Sequence, residues 1–417
     1  MKNYKPRLIE SKIKEKLDLF GGVLIQGARG VGKTTTAQLF AKSSIRLDID
    51  EETQQLARLS PKTIIAGEVP RLIDEWQIVP SIWNVVRHEI DDRSLEGKGS
   101  GQFILSGSAA PTDNETRHSG SMRITKVSVD TMSLMESGDS SNLVNFADLF
   151  KKNVKVNGIS KHDVDNYIDF IIRGGWPQLT SLSPENATKK IADYVNNISS
   201  VDLRTLNSEP DPIRTAALIR SLSRNIATNA TLETISTETK ISRQTIRKYL
   251  DQLTQIFILN ELHPWSTHIR SSVRAKVTPK WFFLDPSIAI ASLNLNKAKL
   301  LNDLETLGFY FESLAIRDLR IYAHYLGGEV YFFQDSNNLD IDAIVELPDE
   351  SWAIFEIKLG GDNLIQKAVK NFELLRTKIK PEKWKKCMSM NIITAKNISI
   401  TREDGINIIA LGHLFVK

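Results

Sequence analysis

Three charged residues interrupt an apolar segment near the end of this 417-residue sequence. The segment IDAIVELPDESWAIFEIKLG has two apolar runs joined by a polar turn, which predicts a β-hairpin. Asp342 lies in the first run, and Glu356 and Lys358 lie at the end of the second. Because side chains alternate faces along a strand, Glu356 and Lys358 point to the same side. The spacing predicts that these charged groups act together.

Two carboxylates and a lysine at this spacing suit a metal-dependent reaction. The pattern fits the PD-(D/E)xK nuclease motif, in which adjacent strands bring an Asp and a Glu together to hold Mg²⁺ while the lysine orients or activates water. Glu312, on the preceding amphipathic segment, would complete the acidic cluster. We therefore predict metal ligation by Glu312, Asp342 and Glu356, with Glu356 and Lys358 catalytic. The alternative is an exposed salt bridge on a surface hairpin. The apolar sequence WAIFEIKLG around these residues argues against that alternative.

A second constellation lies near the start, where GARGVGKT occupies positions 27–34. It matches the Walker A pattern, follows an apolar strand at 23–26 and precedes a predicted helix at 35–42, which is the context this motif requires. Backbone N–H groups of such a loop wrap phosphates at the positive end of the helix. Lys33 would contact the β- and γ-phosphates, and Thr34 would hold Mg²⁺. The alternative is a glycine-rich turn that binds nothing.

Two further strands end in polar residues. RLIDE has the Walker B form, in which Asp74 would support Mg²⁺ through water and Glu75 would polarise the attacking water. QFILSGS places Ser106 and Ser108 at its tip, which resembles the sensor-1 position of AAA+ ATPases, although a strand-to-turn serine is the plain alternative. The predicted nucleotide-binding residues are Gly27, Ala28, Arg29, Gly30, Val31, Gly32, Lys33, Thr34, Thr35, Asp74 and Ser106.

Arginines in RHSGSMRI follow these strands. Arg117 or Arg123 could reach a neighbouring subunit as an arginine finger, which would require a homo-oligomer. Solvated surface arginines are the alternative.

The spacing of apolar residues in the middle of the chain is typical of a winged helix-turn-helix. One helix is predicted at 232–239, and a second begins after Ser242 as its N-cap. The second helix exposes Arg243, Arg247 and Lys248, with Gln244, and could enter a DNA major groove. Basic residues further along could extend a phosphate-contacting face; these are Arg270, Arg274, Lys276 and Lys280. Winged helices also serve as domain spacers or protein contacts.

Composition and net charge limit the classes of protein to which the chain can belong. The net charge of +4 and the pI near 8.8 permit a nucleic-acid partner without requiring one. The single cysteine, Cys387, excludes an intrachain disulfide framework. No apolar run approaches a membrane span and the first twenty residues are charged throughout, so we expect a cytoplasmic protein without membrane contact.

The alternation of strand-like and helical segments predicts an α/β fold with an N-terminal parallel sheet. We predict four segments: a P-loop NTPase domain at 1–160, a helical lid or linker at 161–209, a winged-helix module at 210–290 and a C-terminal α/β nuclease-like domain at 291–417.

With these motifs assembled, the chain resembles a family of uncharacterised prokaryotic AAA+-like ATPases whose C-terminal domain of unknown function belongs to the PD-(D/E)xK superfamily. The resemblance covers essentially the whole chain and rests on GARGVGKTTTA, RLIDEWQ, FILSGS, MSLMESGDSS, RGGWP, ISRQTIRKYLDQL, GFYFESLAIRDLR, and IDAIVE with FEIKLG. It implies ATP binding, a winged-helix connector and a nuclease-like tail. It also favours Arg123 as the finger, although Ser121 and Met122 depart from the commoner small residues.

Three functions compete. The first is an ATP-driven enzyme that processes DNA with an Mg²⁺-dependent nuclease. The second is an ATP-switched DNA-binding protein whose nuclease fold is silent. The third is an ATPase that acts on proteins and uses the winged helix for docking. Intact Asp342, Glu356 and Lys358 favour the first over the second, and the modest net charge favours the third.

Overall fold

The computed structural model describes residues 4–108, 120–200, 203, 211–266, 278–337 and 339–417. The chain forms two units. Unit 1 comprises Met1–Asp130, Asp202–Glu209 and Asp251–Ile258, and unit 2 comprises Thr131–Val201, Pro210–Leu250 and Leu259–Lys417. Arg117, Arg270, Arg274 and Lys276 lie outside the described residues.

Unit 1 is an α/β domain built on a parallel sheet. Its strands are β1 (Gly22–Gln26), β2 (Ser43–Arg46), β3 (Arg71–Asp74), β4 (Phe103–Gly107) and β5 (Ile124–Ser128), and its helices are α1 (Ile9–Leu19), α2 (Lys33–Gln38), α3 (Glu51–Leu59), α4 (Pro61–Ile65) and α5 (Ile82–Leu95). The strand order is β2-β3-β4-β1-β5. The three central strands are almost entirely buried, as expected of a parallel sheet covered on both faces.

The register of this sheet decides which residues meet. Gln26 at the end of β1 pairs with Gly107, and Asp74 at the end of β3 pairs with Ser106. The carboxyl ends of β1, β3 and β4 therefore meet at one edge, where open parallel sheets bind their ligands. Helix α2 begins directly after the glycine-rich loop at this edge and is shorter than the segment predicted from the sequence.

Unit 2 has a run of helices between residues 134 and 325. The helices are α6 (Leu134–Ser137), α7 (Val164–Arg173), α8 (Pro184–Ser200), α9 (Pro212–Arg224), α10 (Leu232–Thr239), α11 (Arg243–Gln255, whose last turn belongs to unit 1), α12 (Ser287–Ser292), α13 (Lys297–Leu301) and α14 (Leu304–Tyr325). Strands β8 (Leu259–Leu262) and β9 (Lys280–Phe283) form an antiparallel pair. Local capping sets several starts; Asp163 and Asn166, for example, form a reciprocal capping box at α7.

The main sheet of unit 2 has seven strands. They are β7 (Asn157–Ile159), β10 (Glu329–Gln334), β11 (Asp340–Glu346), β12 (Trp352–Lys358), β13 (Cys387–Thr394), β14 (Ile398–Thr401) and β15 (Asn407–Ala410), in the order β10-β11-β12-β13-β15-β14-β7. Helices α15 (Asp362–Lys378) and α16 (Pro381–Trp384) follow the β11–β12 hairpin, which forms as the sequence predicts. A two-stranded parallel pair joins β6 (Val144–Asn145) to β16 (Leu414–Phe415).

The first segment of unit 1 ends at Asp130, ahead of the domain boundary at residue 160, which stays a prediction. Residues 131–160 belong to unit 2 because β6 pairs with β16 and β7 pairs with β14. Unit 2 contains both the helices after residue 210 and the C-terminal sheet, so the division into two units is coarser than the four predicted segments, and the boundaries at 209 and 290 stay predictions. Among the described residues, no helix combines the length and apolar character that crossing a membrane demands.

Candidate functional site

The glycine-rich loop of unit 1 has the backbone that phosphate binding needs. Gly27, Gly30 and Gly32 all have positive φ angles, of 151°, 81° and 95°. A Cβ at Gly27 would lie 2.4 Å from the carbonyl oxygen of Val129, so only glycine fits there. The loop thus leads directly from β1 into α2, with its N–H groups at the helix N-terminus.

The side chains predicted to handle phosphate and Mg²⁺ converge on this loop. Lys33 is buried and its Nζ donates to the carbonyl oxygen of Ala28 at 2.9 Å. Thr34 Oγ1 lies 3.0 Å from both carboxylate oxygens of Asp74, and Ser106 donates to the same carboxylate. Three residues from three different elements therefore form one polar cluster, which the sequence predicted as a nucleotide site.

Glu75 directly follows Asp74 in a left-handed conformation, with φ of 54°. Its carboxylate accepts a hydrogen bond from the side-chain amide of Gln77. That amide fixes the direction of the carboxylate predicted to polarise water. Sequence reasoning did not assign Gln77, although it lies in the quoted RLIDEWQ segment.

Arg7 is a second residue that the sequence analysis missed. It is 6% exposed, and its guanidinium donates to the carbonyl oxygens of Val31 at 3.0 Å and Asp130 at 2.8 Å. These bonds tie the glycine-rich loop to the segment after β5. No local motif marks Arg7, because its partners lie 24 and 123 positions away.

Of the two arginine-finger candidates, only Arg123 is described. It is half-buried and pairs with Asp91 of helix α5 within the same chain. Its assignment as a finger therefore stays a prediction.

The β11–β12 hairpin brings its three charged residues together. Lys358 Nζ lies 2.6 Å from Asp342 Oδ2 and 2.6 Å from Glu356 Oε2. Asp342 also accepts a hydrogen bond from the backbone N–H of Ile357. Glu356 is fully buried and Asp342 is 7% exposed, so this is not a solvated surface salt bridge.

Burial and mutual charge shift the pKa values in opposite directions. Burial, reinforced by the neighbouring Asp342, raises the pKa of Glu356 to about 8 and raises the pKa of Glu312 well above its usual value. Burial would also raise the pKa of Asp342, but the ammonium groups of Lys358 and Lys280 outweigh it and hold that pKa below its usual value. The pKa of Lys358 is raised despite its burial, because two carboxylates face it.

Other elements complete this acidic cluster. Asn371 of α15 donates its side-chain amide to Glu356 Oε1 at 2.8 Å. Lys280 of β9 is 2% exposed and its Nζ lies 3.0 Å from Asp340 Oδ2. The sequence placed Lys280 in a basic surface run, whereas the structure buries it as a counter-ion. Its partner lies 60 positions away, beyond the reach of local patterns.

The predicted metal ligands contain the right donor type, but a lysine stands between them. Glu312 is 8% exposed and its Oε1 has no hydrogen-bond partner, which leaves a buried acceptor open for a cation. Yet no group of three His, Cys, Asp or Glu side chains within the described ranges is arranged to hold a metal as it stands. The ammonium of Lys358 contacts both Asp342 and Glu356, so a cation would have to displace it.

The residues predicted to touch nucleic acid are exposed on α11. Arg243 is 67% exposed and lies 3.9 Å from Glu233, and Arg247 and Lys248 also face solvent. The opposite face is buried through Ile246 and other apolar residues. The helix thus presents a basic outer face, as its spacing predicted.

A separate buried network joins motifs whose purpose the sequence did not reveal. Arg317 pairs with Asp285 at 3.0 Å and with Asp318 at 2.7 Å. Asp318 accepts from the backbone N–H of Leu134, and Asp285 accepts from that of Gly175. These contacts bind MSLMES, RGGWP and the FESLAIRDLR helix to one another, which gives the motifs a structural role.

Family comparisons divide the chain into three parts. An AAA domain matches residues 20–137, which confirms the prediction of an AAA-like P-loop domain in the N-terminal part. Two domains of unknown function, DUF8612 and DUF4143, match residues 140–299 and 307–414. The first boundary, near 140, lies close to the end of unit 1 rather than to residue 160.

Two curated relatives cover most of the chain. Uncharacterised proteins of Mycobacterium tuberculosis and Mycobacterium bovis are each 24% identical over 358 residues, which is 84% of this chain and 73% of theirs.

Among solved structures, the Walker-type ATPase of Pyrococcus abyssi aligns with a TM-score of 0.42 at 13% identity, over 68% of this chain and 94% of that one. The Thermotoga maritima RuvB branch-migration motor aligns with 0.27 at 15% identity, over 60% and 88%. Likeness at these scores supports no functional argument.

Proposed function

We propose that this chain is an Mg²⁺-dependent ATPase that acts on DNA. The observation that carries the ATPase proposal is the cluster of Thr34, Asp74 and Ser106 beside a loop with three positive-φ glycines. The AAA domain match over the same residues supports it.

The residues of unit 1 have distinct tasks in this proposal. The backbone N–H groups of the loop bind the phosphates, and Lys33 exchanges its bond to the Ala28 carbonyl for the phosphate oxygens. Thr34 and Asp74 are the oxygen donors that would hold Mg²⁺, which neutralises developing charge on the phosphates. Glu75, directed by Gln77, orients the attacking water.

Two substitutions test the ATPase. Lys33→Ala should abolish nucleotide binding, because the loop loses the ammonium group predicted to contact the β- and γ-phosphates. Glu75→Gln should keep binding and slow hydrolysis, because Mg²⁺ and the loop remain while the water loses its acceptor. Binding of a fluorescent ATP analogue and phosphate release measure the two effects, with Lys14→Ala on the exposed face of α1 as a control. Hydrolysis at the wild-type rate in Glu75→Gln would reject Glu75 as the residue that polarises water.

For unit 2 we propose a divalent-cation site at Glu312, Asp342 and Glu356, in a domain of the PD-(D/E)xK type that could cleave DNA. The open Oε1 of Glu312 and the shared contacts of Lys358 support this proposal. Glu312, Asp342 and Glu356 would hold the cation in place of their contacts with Lys358, and Lys358 would then be the group that orients water. The cation would polarise the phosphodiester. A domain that neither binds a cation nor cuts DNA would leave the alternative, an ATP-switched binding protein with a silent nuclease fold.

DNA contact by a winged-helix module is the remaining part of the proposal, supported by the exposed basic face of α11. Replacing Arg247 and Lys248 together with alanine should weaken duplex binding and reduce its log–log salt slope by about 0.9 for each lost phosphate contact. An unchanged slope would favour the alternative, in which this module docks a protein partner.

A further inference from the structure

Helices α15 and α16 carry the densest basic segment of unit 2 that flanks the acidic cluster. Positions 367–386 contain eight basic residues and two acidic residues, a local net charge of 8 − 2 = +6, whereas the whole chain has +4. The basic residues are Lys367, Lys370, Arg376, Lys378, Lys380, Lys383, Lys385 and Lys386. A segment more positive than the entire protein is an electrostatic footprint for a polyanion.

Part of this charge is already neutralised. The paired ammonium groups are those of Lys378 with Asp335, Lys383 with Glu346 and Lys386 with Glu350. Lys367, Lys370, Lys380 and Lys385 are exposed and form no ion pair with any residue that the structure describes. Four positive charges of this segment are therefore not balanced by an ion pair within the described part of the chain.

The helix geometry aligns two of these lysines with the acidic cluster. Lys367, Asn371, Leu374 and Lys378 follow the spacing i, i+4, i+7, i+11, which places them on one stripe of α15. Asn371 lies at one edge of this stripe and donates to Glu356 at 2.8 Å, and Lys370, three residues after Lys367, lies at the other edge. Lys367 is one turn before Asn371, so it lies on the side of the helix from which Asn371 contacts the cluster, and Leu374 on the same stripe is 51% exposed.

We propose that this stripe binds the phosphate backbone of a nucleic acid through the exposed Lys367 and Lys370 and guides it to the acidic cluster, while Lys378 at the end of the stripe stays paired with Asp335. The inference rests on the proposed nucleic-acid function of that cluster. The cluster holds the carboxyl groups of Glu312, Asp340, Asp342 and Glu356. Its own ammonium groups, those of Lys280 and Lys358, already pair with these carboxyl groups, so exposed cations beside the cluster are needed to attract a phosphate chain. Lys367 to Lys378 spans about 16 Å along the helix, enough for several successive phosphates.

The stripe makes a prediction about salt dependence. In the full-length protein, Lys367→Gln combined with Lys370→Gln removes two exposed ammonium groups and keeps the helix polar. Binding of a fluorescein-labelled duplex of about 30 base pairs is measured by anisotropy in EDTA, so that cleavage does not enter. Two lost phosphate contacts should reduce the log–log salt slope by about 1.8. The loss of affinity over a fourfold rise in salt should then be about twelvefold smaller than in the wild type.

The matched control is Lys152→Gln with Lys155→Gln, two exposed lysines just before β7, at the opposite edge of the same sheet from β10. This control should keep the wild-type slope, and both variants should keep the wild-type melting temperature.

The outcomes separate the inference from the proposed function. A wild-type slope in the α15 variant, with normal DNA binding by the wild type, overturns the stripe and leaves the α11 proposal intact. Absence of DNA binding by the wild type, with and without an ATP analogue, overturns the DNA function and the stripe together. Retention on phosphatidylserine vesicles that duplex DNA does not compete off would also reject the nucleic-acid assignment.

Discussion

Replacing Lys358 with methionine would leave two buried carboxylates facing each other without their shared cation. Lys358 Nζ lies 2.6 Å from an oxygen of Asp342 and of Glu356, and methionine keeps most of the aliphatic stem. Removing one partner of a buried ion pair costs about 3–5 kcal/mol. At about 2–4 °C per kcal/mol, the melting temperature of unit 2 should fall by about 6–20 °C in EDTA.

The pH and the cation should set where in this range the variant lies. Because the pKa of Glu356 is about 8 while Lys358 is present, Glu356 keeps its proton at pH 6 and the loss is smallest there. The loss should grow towards pH 9. A divalent cation that occupies the vacated position should restore about 2.7 kcal/mol at 100 times its dissociation constant.

Differential scanning calorimetry in EDTA and in Mn²⁺, without nucleotide, measures both effects. The matched control is Lys386→Met, which removes an ammonium group paired with Glu350 on the surface, where both side chains are at least 43% exposed. Such a pair contributes about 0–1 kcal/mol. If Lys358→Met lost no more stability than this control, the buried cluster would not be held by Lys358. If Mn²⁺ stabilised neither the wild type nor the variant, the cation site would be rejected.

Three further predictions concern other charged groups. Arg317→Met should lower the melting temperature of unit 2 by about 6–20 °C, because it leaves the buried carboxylates of Asp285 and Asp318 unpaired. The control is Arg402→Met, which removes a partly exposed ion pair and should lower the free energy of unfolding by at most about 1 kcal/mol. Equal losses of stability in the two variants would contradict the structural role of the Arg317 network. Glu356 has a folded pKa of about 8, above its ordinary 4.5, so its contribution is present below pH 4.5 and is lost as pH rises towards 8; Glu356→Gln should flatten that part of the stability profile measured by urea titration, and an unchanged profile would refute the raised pKa. Finally, if Arg123 is an arginine finger, mixing inactive Lys33→Ala with inactive Arg123→Ala protein should restore ATPase activity, and no rescue between folded proteins would exclude a shared site.

The parts of the sites that the sequence predicts are those encoded locally. The glycine-rich loop needs neighbouring residues with special backbone angles, so the local sequence alone predicts where the loop lies and which class of ligand it binds. Glu356 and Lys358 share a face because strands alternate, and the hairpin register, with Ala343 paired to Phe355, places them beside Asp342. The AAA-like fold of the N-terminal part and its glycine-rich loop can therefore be predicted from patterns of residues that are close in the sequence.

The parts that the sequence does not predict depend on long-range contacts. Three such contacts join residues that are far apart in the sequence: Arg7 with Asp130, Lys280 with Asp340, and Asn371 with Glu356. The local sequence around Arg7, Lys280 and Asn371 is that of ordinary surface residues, so it does not predict these contacts. The assignment of residues 131–160 to unit 2 also depends on such contacts. Residues 131–160 look like a continuation of the N-terminal α/β pattern until β14 and β16 supply their partners.

The pairing of β7 with β14 also has a consequence for folding during synthesis. Gly158 pairs with Ser399, so the ribosome must add about 240 residues between the two, which takes roughly 12–50 s at 5–20 residues per second. The sheet of unit 1 lies within one continuous stretch before residue 130 and can form in that interval. Residues 131–160 emerge early and wait with their pairing edge uncovered, a state prone to wrong association. A chain released before residue 398 would therefore carry a folded sheet in unit 1 and an unfinished, aggregation-prone second unit.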